Sequence, residues 1–163
     1  MLRKSAVQSS RILAEELQRR RVARGAPPVA IVLSREHRFR RLMRAVMNEV
    51  GFEVHTDEEH AGAVQRVARF KPDLVVLDIN LAHEHLDWAI LEGLREHPGT
   101  SNVPVVVCSA ASWLLEQREL QLQRECIAAW TEPYSLADLV AAVQYALATS
   151  AATDTGLRPP RMA

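Results

Sequence analysis

The sequence predicts an α/β fold: a doubly wound, five-stranded parallel sheet with helices on both faces, preceded by one extra helix. Three observations carry this. Short apolar runs rich in β-branched or aromatic residues recur at 29–33, 52–55, 74–78, 105–109 and 126–130. Each is followed by a segment whose apolar residues repeat at helical spacing. Parallel strands cannot be joined by tight hairpins, so a helix after every strand is the crossover that such a sheet needs. A chain of 163 residues has room for one domain with a proper core.

Ser9 and Ser10 read as the cap of a first helix running to about Arg24. Glu15–Arg19 and Glu16–Arg20 pair in the favourable i,i+4 order, and arginines gather at the end where the helix dipole attracts cations. Its apolar stripe is thin, with Ile12, Leu13 and Leu17. Gly25-Ala26-Pro27-Pro28 ends it and forms a linker. "VAIVL" (29–33) is the first strand, and Phe39, Leu42, Met43, Val46, Met47 and Val50 stripe a helix stopped by Gly51. "FEVH" (52–55) is a weaker strand before a helix using Ala61, Val64, Val67 and Ala68. Lys71-Pro72 breaks that helix, and "LVVLD" (74–78) is the third strand.

Trp88, Ile90, Leu91 and Leu94 mark the next helix, and "HPGTSNVP" loops into "VVVCS" (105–109). Trp113–Gln123 reads as one helix and "CIAAW" (126–130) as the fifth strand. Ser135 and Asp138 form a capping box ahead of the stripe Leu136, Leu139, Val140, Val143, Leu147. The organisation is a basic helix and Pro linker at 1–28, a body at 29–149 and a flexible tail at 150–163.

Two cysteines, Cys108 and Cys126, make no disulfide framework, and no apolar run is long enough for a membrane span. The basic, serine-containing N-terminus carries Glu15 and Glu16, against a transit peptide, so the expected compartment is the cytoplasm. The net charge of zero hides an asymmetry: residues 1–28 carry +5, residues 29–150 carry −6 and the tail +1. Such an arm can meet an acidic partner or fold back on its own body.

In doubly wound sheets, function collects outside the carboxyl ends of the strands. Asp78 ends strand three, Ser34 follows strand one, Ser109 ends strand four and Glu132 follows strand five. The four converge on one rim.

From "PDLVVLD", "NVPVVVCSA", "TEPYSLADL" and the helix stop "EVGFEV", in this order and spacing, the sequence resembles the receiver domains of bacterial two-component response regulators over about residues 29–148. The resemblance implies a CheY-like, flavodoxin-like sheet of order 2-1-3-4-5. It places Asp78 at the phosphoacceptor position and Ser109 at the hydroxyl that contacts the phosphoryl group. Asn80 falls where the family offers a backbone carbonyl to magnesium. The family's acidic pair is replaced by Ser34-Arg35 and its lysine by Glu132. Ala129 holds the switch-aromatic position, with Trp130 beside it facing the other way. The loop "AHEHLD" (82–87) lacks the usual Pro and Gly.

These losses matter because phosphoryl transfer rests on positioning and charge neutralisation, and magnesium wants oxygen ligands including carboxylates. Here Asp78 is joined only by Glu36, displaced by one residue. Charges 4 Å apart interact by about 4 kcal/mol at an effective dielectric near 20, so exchanging Lys for Glu is a large local reversal. Arg35 is expected to neutralise Asp78 or Glu132 in place of metal. Asp78 then reads as a hydrogen-bonded, charge-paired carboxylate, Ser109 as a hydroxyl satisfying backbone, and Glu132 as solvated.

The expected function is a stand-alone pseudo-receiver that binds a signalling protein, a histidine kinase or an output protein, without efficient phosphorylation. It is not expected to be an enzyme, and no cofactor is expected. The family's contact face maps to Trp113–Gln123, Cys126–Trp130 and Ser135–Leu147, with Trp113, Arg118, Trp130 and Tyr145 as contacts. The helix at 9–24 would serve as a homodimer contact or a second docking element. One alternative is a conventional phosphoacceptor with an atypical magnesium site built on Asp78 and Glu36. Another is a nucleic-acid-associated regulator using the arginine-rich arm and Arg38, Arg41 and Arg44; the acidic body and the lack of a helix-turn-helix pattern disfavour it. His83 and His85 do not by themselves supply the three or four ligands that zinc requires, so no metal site is assigned there.

Overall fold

The computed structural model describes residues 2–132 and 135–154, with side chains described for 11–132 and 135–150. Helix α1 (Leu2–Arg24) precedes β1 (Val29–Leu33), α2 (His37–Val50), β2 (Glu53–Asp57), α3 (Ala63–Phe70), β3 (Leu74–Asp78) and α4 (Glu84–Glu96). Then come β4 (Val105–Ser109), α5 (Ser112–Glu116), α6 (Glu119–Arg124), β5 (Ala128–Thr131) and α7 (Leu136–Asp154). The sheet has the order β2-β1-β3-β4-β5 with every pair parallel, as the sequence predicts.

Successive strand side chains point to opposite faces, so each strand feeds two cores. Ala30, Val32, Leu74, Val76, Val106, Cys108, Ala128 and Trp130 join α1, α2 and α7 on one face. Ile31, Leu33, Val75, Leu77, Val105 and Val107 join α3, α4, α5 and α6 on the other. The central strands β3 and β4 are buried along their whole length, which explains their unbroken apolar runs. Gly51 closes α2 in the left-handed conformation (φ 118°), and its N–H reaches the carbonyls of Met47 and Asn48.

Several elements differ from the sequence reading. Helix α1 begins at Leu2 rather than at the Ser9–Ser10 cap, since Leu, Arg, Lys and Ala before the serines are good helix formers. It packs on the body: Leu13 and Leu17 are buried in the same core as Met47, Phe52 and Leu147. At its C-terminal end Arg24 pairs with the buried Asp73, whose Oδ2 also accepts the Val29 N–H (2.8 Å), and Arg20 lies 3.8 Å from Asp73 Oδ1. This clamp sits at the amino ends of β1 and β3, the end of the sheet opposite Asp78.

The helix expected over Trp113–Gln123 is two short ones, α5 and α6, interrupted at Gln117 and Arg118. Arg118 lies with its guanidinium 4.5 Å from the Trp88 ring centroid and donates to Glu92 (3.0 Å), contacts that offset the lost helical bonds. The Ser135 hydroxyl accepts the Asp138 N–H (3.1 Å) at the start of α7. That helix continues to Asp154, into the segment expected to be a flexible tail. Thr149 Oγ1 donates back to the Tyr145 carbonyl (2.8 Å) and Ser150 Oγ to the Asn102 carbonyl (2.7 Å), tying this stretch to the body. The rest of the expected tail, 155–163, lies outside the described residues, as do Pro133 and Tyr134 of "TEPYSLADL".

Candidate functional site

At the carboxyl end of β3, Asp78 lies at the bottom of a cleft of about 450 Å³. Its walls are apolar: Phe39 and Leu42 of α2, then Ile79, Leu81, Ala110 and Ala111 from the loops after β3 and β4. Glu36, Arg38, Asn80, Ser109 and Glu132 complete the lining.

Asp78 is only 6% exposed. Its Oδ2 accepts a hydrogen bond from Ser34 Oγ (2.7 Å), and the same Ser34 oxygen accepts the Glu36 N–H (3.0 Å). Burial pushes the Asp78 carboxyl up to about 6, against a lowering by the Ser34 hydroxyl, and the like charges of Asp87 and Glu36 add to the rise. Among the described residues the carboxylate is therefore hydrogen-bonded but not charge-paired, which corrects half of the expectation for it.

The loop after β3 is held from an unexpected side. The Asn80 N–H donates to Asp87 Oδ2 (2.9 Å), and the other Asp87 oxygen pairs with His60 Nε2 from the loop before α3. The Asn80 carbonyl accepts the His83 N–H (2.9 Å), and its side-chain Oδ1 accepts the Ala82 N–H (2.9 Å). Ser109 Oγ donates to the Ile79 carbonyl (2.8 Å) and accepts the Ala111 N–H (3.1 Å), so this hydroxyl is taken up by backbone.

No protein-family model matches the chain, and no curated protein is a significant match. Solved structures do match in three dimensions. A sensor protein from Polaromonas superposes with a TM-score of 0.65 at 22% identity, covering 76% of this chain and 98% of its own. The chemotaxis protein CheY4 of Vibrio cholerae gives 0.62 at 13% identity, covering 74% and 98%. A CheY-like response regulator receiver domain from Methylobacillus flagellatus gives 0.61 at 18%, covering 73% and 98%.

The chain has the CheY-like receiver fold.

On this receiver frame, Ser34, Glu36, Asn80, Ser109 and Glu132 gather round Asp78 as their positions in the sequence imply. Arg35 does not. It is exposed, lines a separate groove beside His60 and Leu86, and among the described residues makes no ion pair with Asp78 or Glu132. The reason is local. Ser34 turns the chain by taking the Glu36 N–H on its hydroxyl, and Arg40 Nη1 holds the Ser34 carbonyl (2.8 Å). This turn brings Glu36, not Arg35, to the cleft. Glu132 is solvent-exposed.

Of the four residues expected at the contact face, one is corrected. Trp113 is 45% exposed, but Trp130 is only 4% exposed. Alternation along β5 sends Trp130 into the core and Ala129 outward. Arg118 is engaged with Trp88 and Glu92, and Tyr145 is half-buried against the core. His60 was missed from the sequence, while Asp87 was seen only as part of the loop 82–87 and Arg38 only as part of an arginine-rich face. Asp87 and His60 are 27 positions apart, and no local pattern links them.

Among the described residues no group of three or more His, Cys, Asp or Glu is placed to hold a metal ion. Asp78 already accepts from Ser34, both Asp87 oxygens are used, and the Asn80 carbonyl is closed into a turn. Among the described residues, then, Asp78 and Glu36 do not belong to a preformed cluster of three carboxylates of the kind that would clamp magnesium from several sides. No helix of the described chain is long and apolar enough to cross a membrane.

Proposed function

We propose that this receiver-fold domain acts in two-component signalling by binding a signalling protein, a histidine kinase or an output protein, without efficient phosphorylation of Asp78, and that it is not an enzyme. The observation that carries this reading is the charge around Asp78. Its nearest influences are a neutral serine hydroxyl and two like charges, Asp87 and Glu36. An incoming phosphoryl group would bring further negative charge to a cleft that holds Glu36 and Glu132 beside Asp78. Phosphoryl transfer depends on cations at the transferred oxygens. Among the described residues lining the cleft, Arg38 is the one cation, and it stands exposed to solvent against three carboxylates.

Intact mass after incubation with a small-molecule phosphodonor and magnesium tests the reading, with Asp78→Ala as control. The expected result is the same mass for both proteins. A phosphoryl adduct on the parent alone would overturn it and support the second reading, a conventional phosphoacceptor that needs magnesium. That second reading is favoured by one observation: Glu36 lines the same cleft as Asp78 and acts on it electrostatically.

A further inference from the structure

The cleft over Asp78 has walls and a floor of different chemistry. Leu42 and Leu81 stand 45% and 59% exposed on its sides, a costly position for two leucines at one opening. At its base lies a carboxylate more than nine-tenths buried, with Oδ2 engaged by Ser34. Glu36 and Glu132 line it as well, so three carboxylates face the single guanidinium of Arg38.

An apolar channel ending in a buried carboxylate suits one class of side chain: an aliphatic stem with a cationic head. Lysine and arginine lay their methylenes on apolar surface and deliver charge at the tip. We infer that this cleft receives a lysine or arginine side chain presented by a protein partner, its stem between Leu42 and Leu81 and its head on Asp78. This deepens the binding reading above, and rests on it, by naming the recognised group and the face that takes it. Charge complementarity selects the occupant. The cleft has an excess of carboxylate, three against one guanidinium, and among the described residues no group of three or more His, Cys, Asp or Glu is placed to hold a metal ion.

Selection of random peptides on the full chain tests the inference, with affinities of the selected peptides then measured on variants. The expected winners carry a lysine or arginine beside apolar residues. Their affinity should fall about tenfold or more on Asp78→Asn, the scale of a broken buried charge pair, and by a similar factor when the peptide's cation is replaced by norleucine. Leu81→Ser should weaken them too, and its thermal melt would show that the fold is kept. Peptides whose affinity ignores Asp78→Asn, or that map to the surface around Trp113, would overturn the cleft as the docking site while leaving the binding reading intact. Failure to select any peptide would also overturn it. Amide shifts at Asn80 and Ala110 on addition of magnesium alone, lost in Asp78→Asn, would show that a metal rather than a side chain supplies the cation. That outcome would overturn this inference and, with a phosphoryl adduct, the binding reading too.

Discussion

Ser34 Oγ donates to Asp78 Oδ2 at 2.7 Å while accepting the backbone N–H of Glu36 at 3.0 Å. Among the described residues, the side chain that meets Asp78 is thus a neutral hydroxyl rather than a cation. The hydrogen bond eases the buried charge of Asp78 without cancelling it.

The first expectation concerns that cost. A carboxyl held at about 6 in the fold, against an ordinary 3.8, loses its proton less readily folded than unfolded. Stability therefore falls as pH rises from the unfolded value through the folded one, and by neutral pH the penalty is about 3 kcal/mol. Asp78→Asn should raise stability by about 1–3 kcal/mol at neutral pH, and the gain should be nearly gone at about pH 4. Urea denaturation at both pH values measures it; a variant less stable than the parent at neutral pH would contradict the account.

Removing the serine should act in the opposite sense. Ser34→Ala deletes the donor to Asp78 and the acceptor for Glu36 N–H, so it should cost about 1–3 kcal/mol at neutral pH. It should also move the Asp78 titration further upward, which carboxyl-carbon NMR reads directly.

The α1 clamp gives a third expectation. Asp73 serves two donors, the Arg24 guanidinium and the Val29 N–H, at the amino ends of the strands. Asp73→Ala strands both and should cost about 2–4 kcal/mol. Leu17→Ala, in the core shared by α1, α2 and α7, should cost a similar 2–4 kcal/mol or so from lost burial and a cavity. Denaturation midpoints of the two variants check this, and near-parental values would mean that α1 only rests on the body.

The two tryptophans of the expected contact face should part company. Trp130 fills the core, so Trp130→Ala should cost about 3–5 kcal/mol, while the exposed Trp113→Ala should stay within about 1 kcal/mol of the parent. Thermal melts of both, compared with the parent, would decide it.

The sheet was legible because five apolar runs alternate with helical segments from Val29 to Leu147. Asp78, Ser109 and Glu132 reached one rim through topology alone. Legibility ended where a loop's turn decides which side chain enters the cleft: Arg35 and Glu36 are neighbours, and only the hydrogen bonds of Ser34 and Arg40 choose between them. The His60–Asp87 pair joins two loops across the fold, and no sequence period marks it. The break between α5 and α6 was hidden because Trp113–Gln123 contains no proline or glycine to mark a stop and so reads as one helix. Trp130 was read as facing the opposite way from Ala129 but not as buried, and it was grouped with surface contacts because the family's contact face includes that strand.

The central claim is that Asp78 is a buried carboxylate without a resident cation. Titrating its carboxyl carbon by NMR, with and without millimolar magnesium, tests this most directly. The account predicts a midpoint near the value of about 6, unchanged by magnesium. A midpoint that drops by about a pH unit or more when magnesium is added, as a bound cation requires, would contradict it and restore the metal-dependent phosphoacceptor.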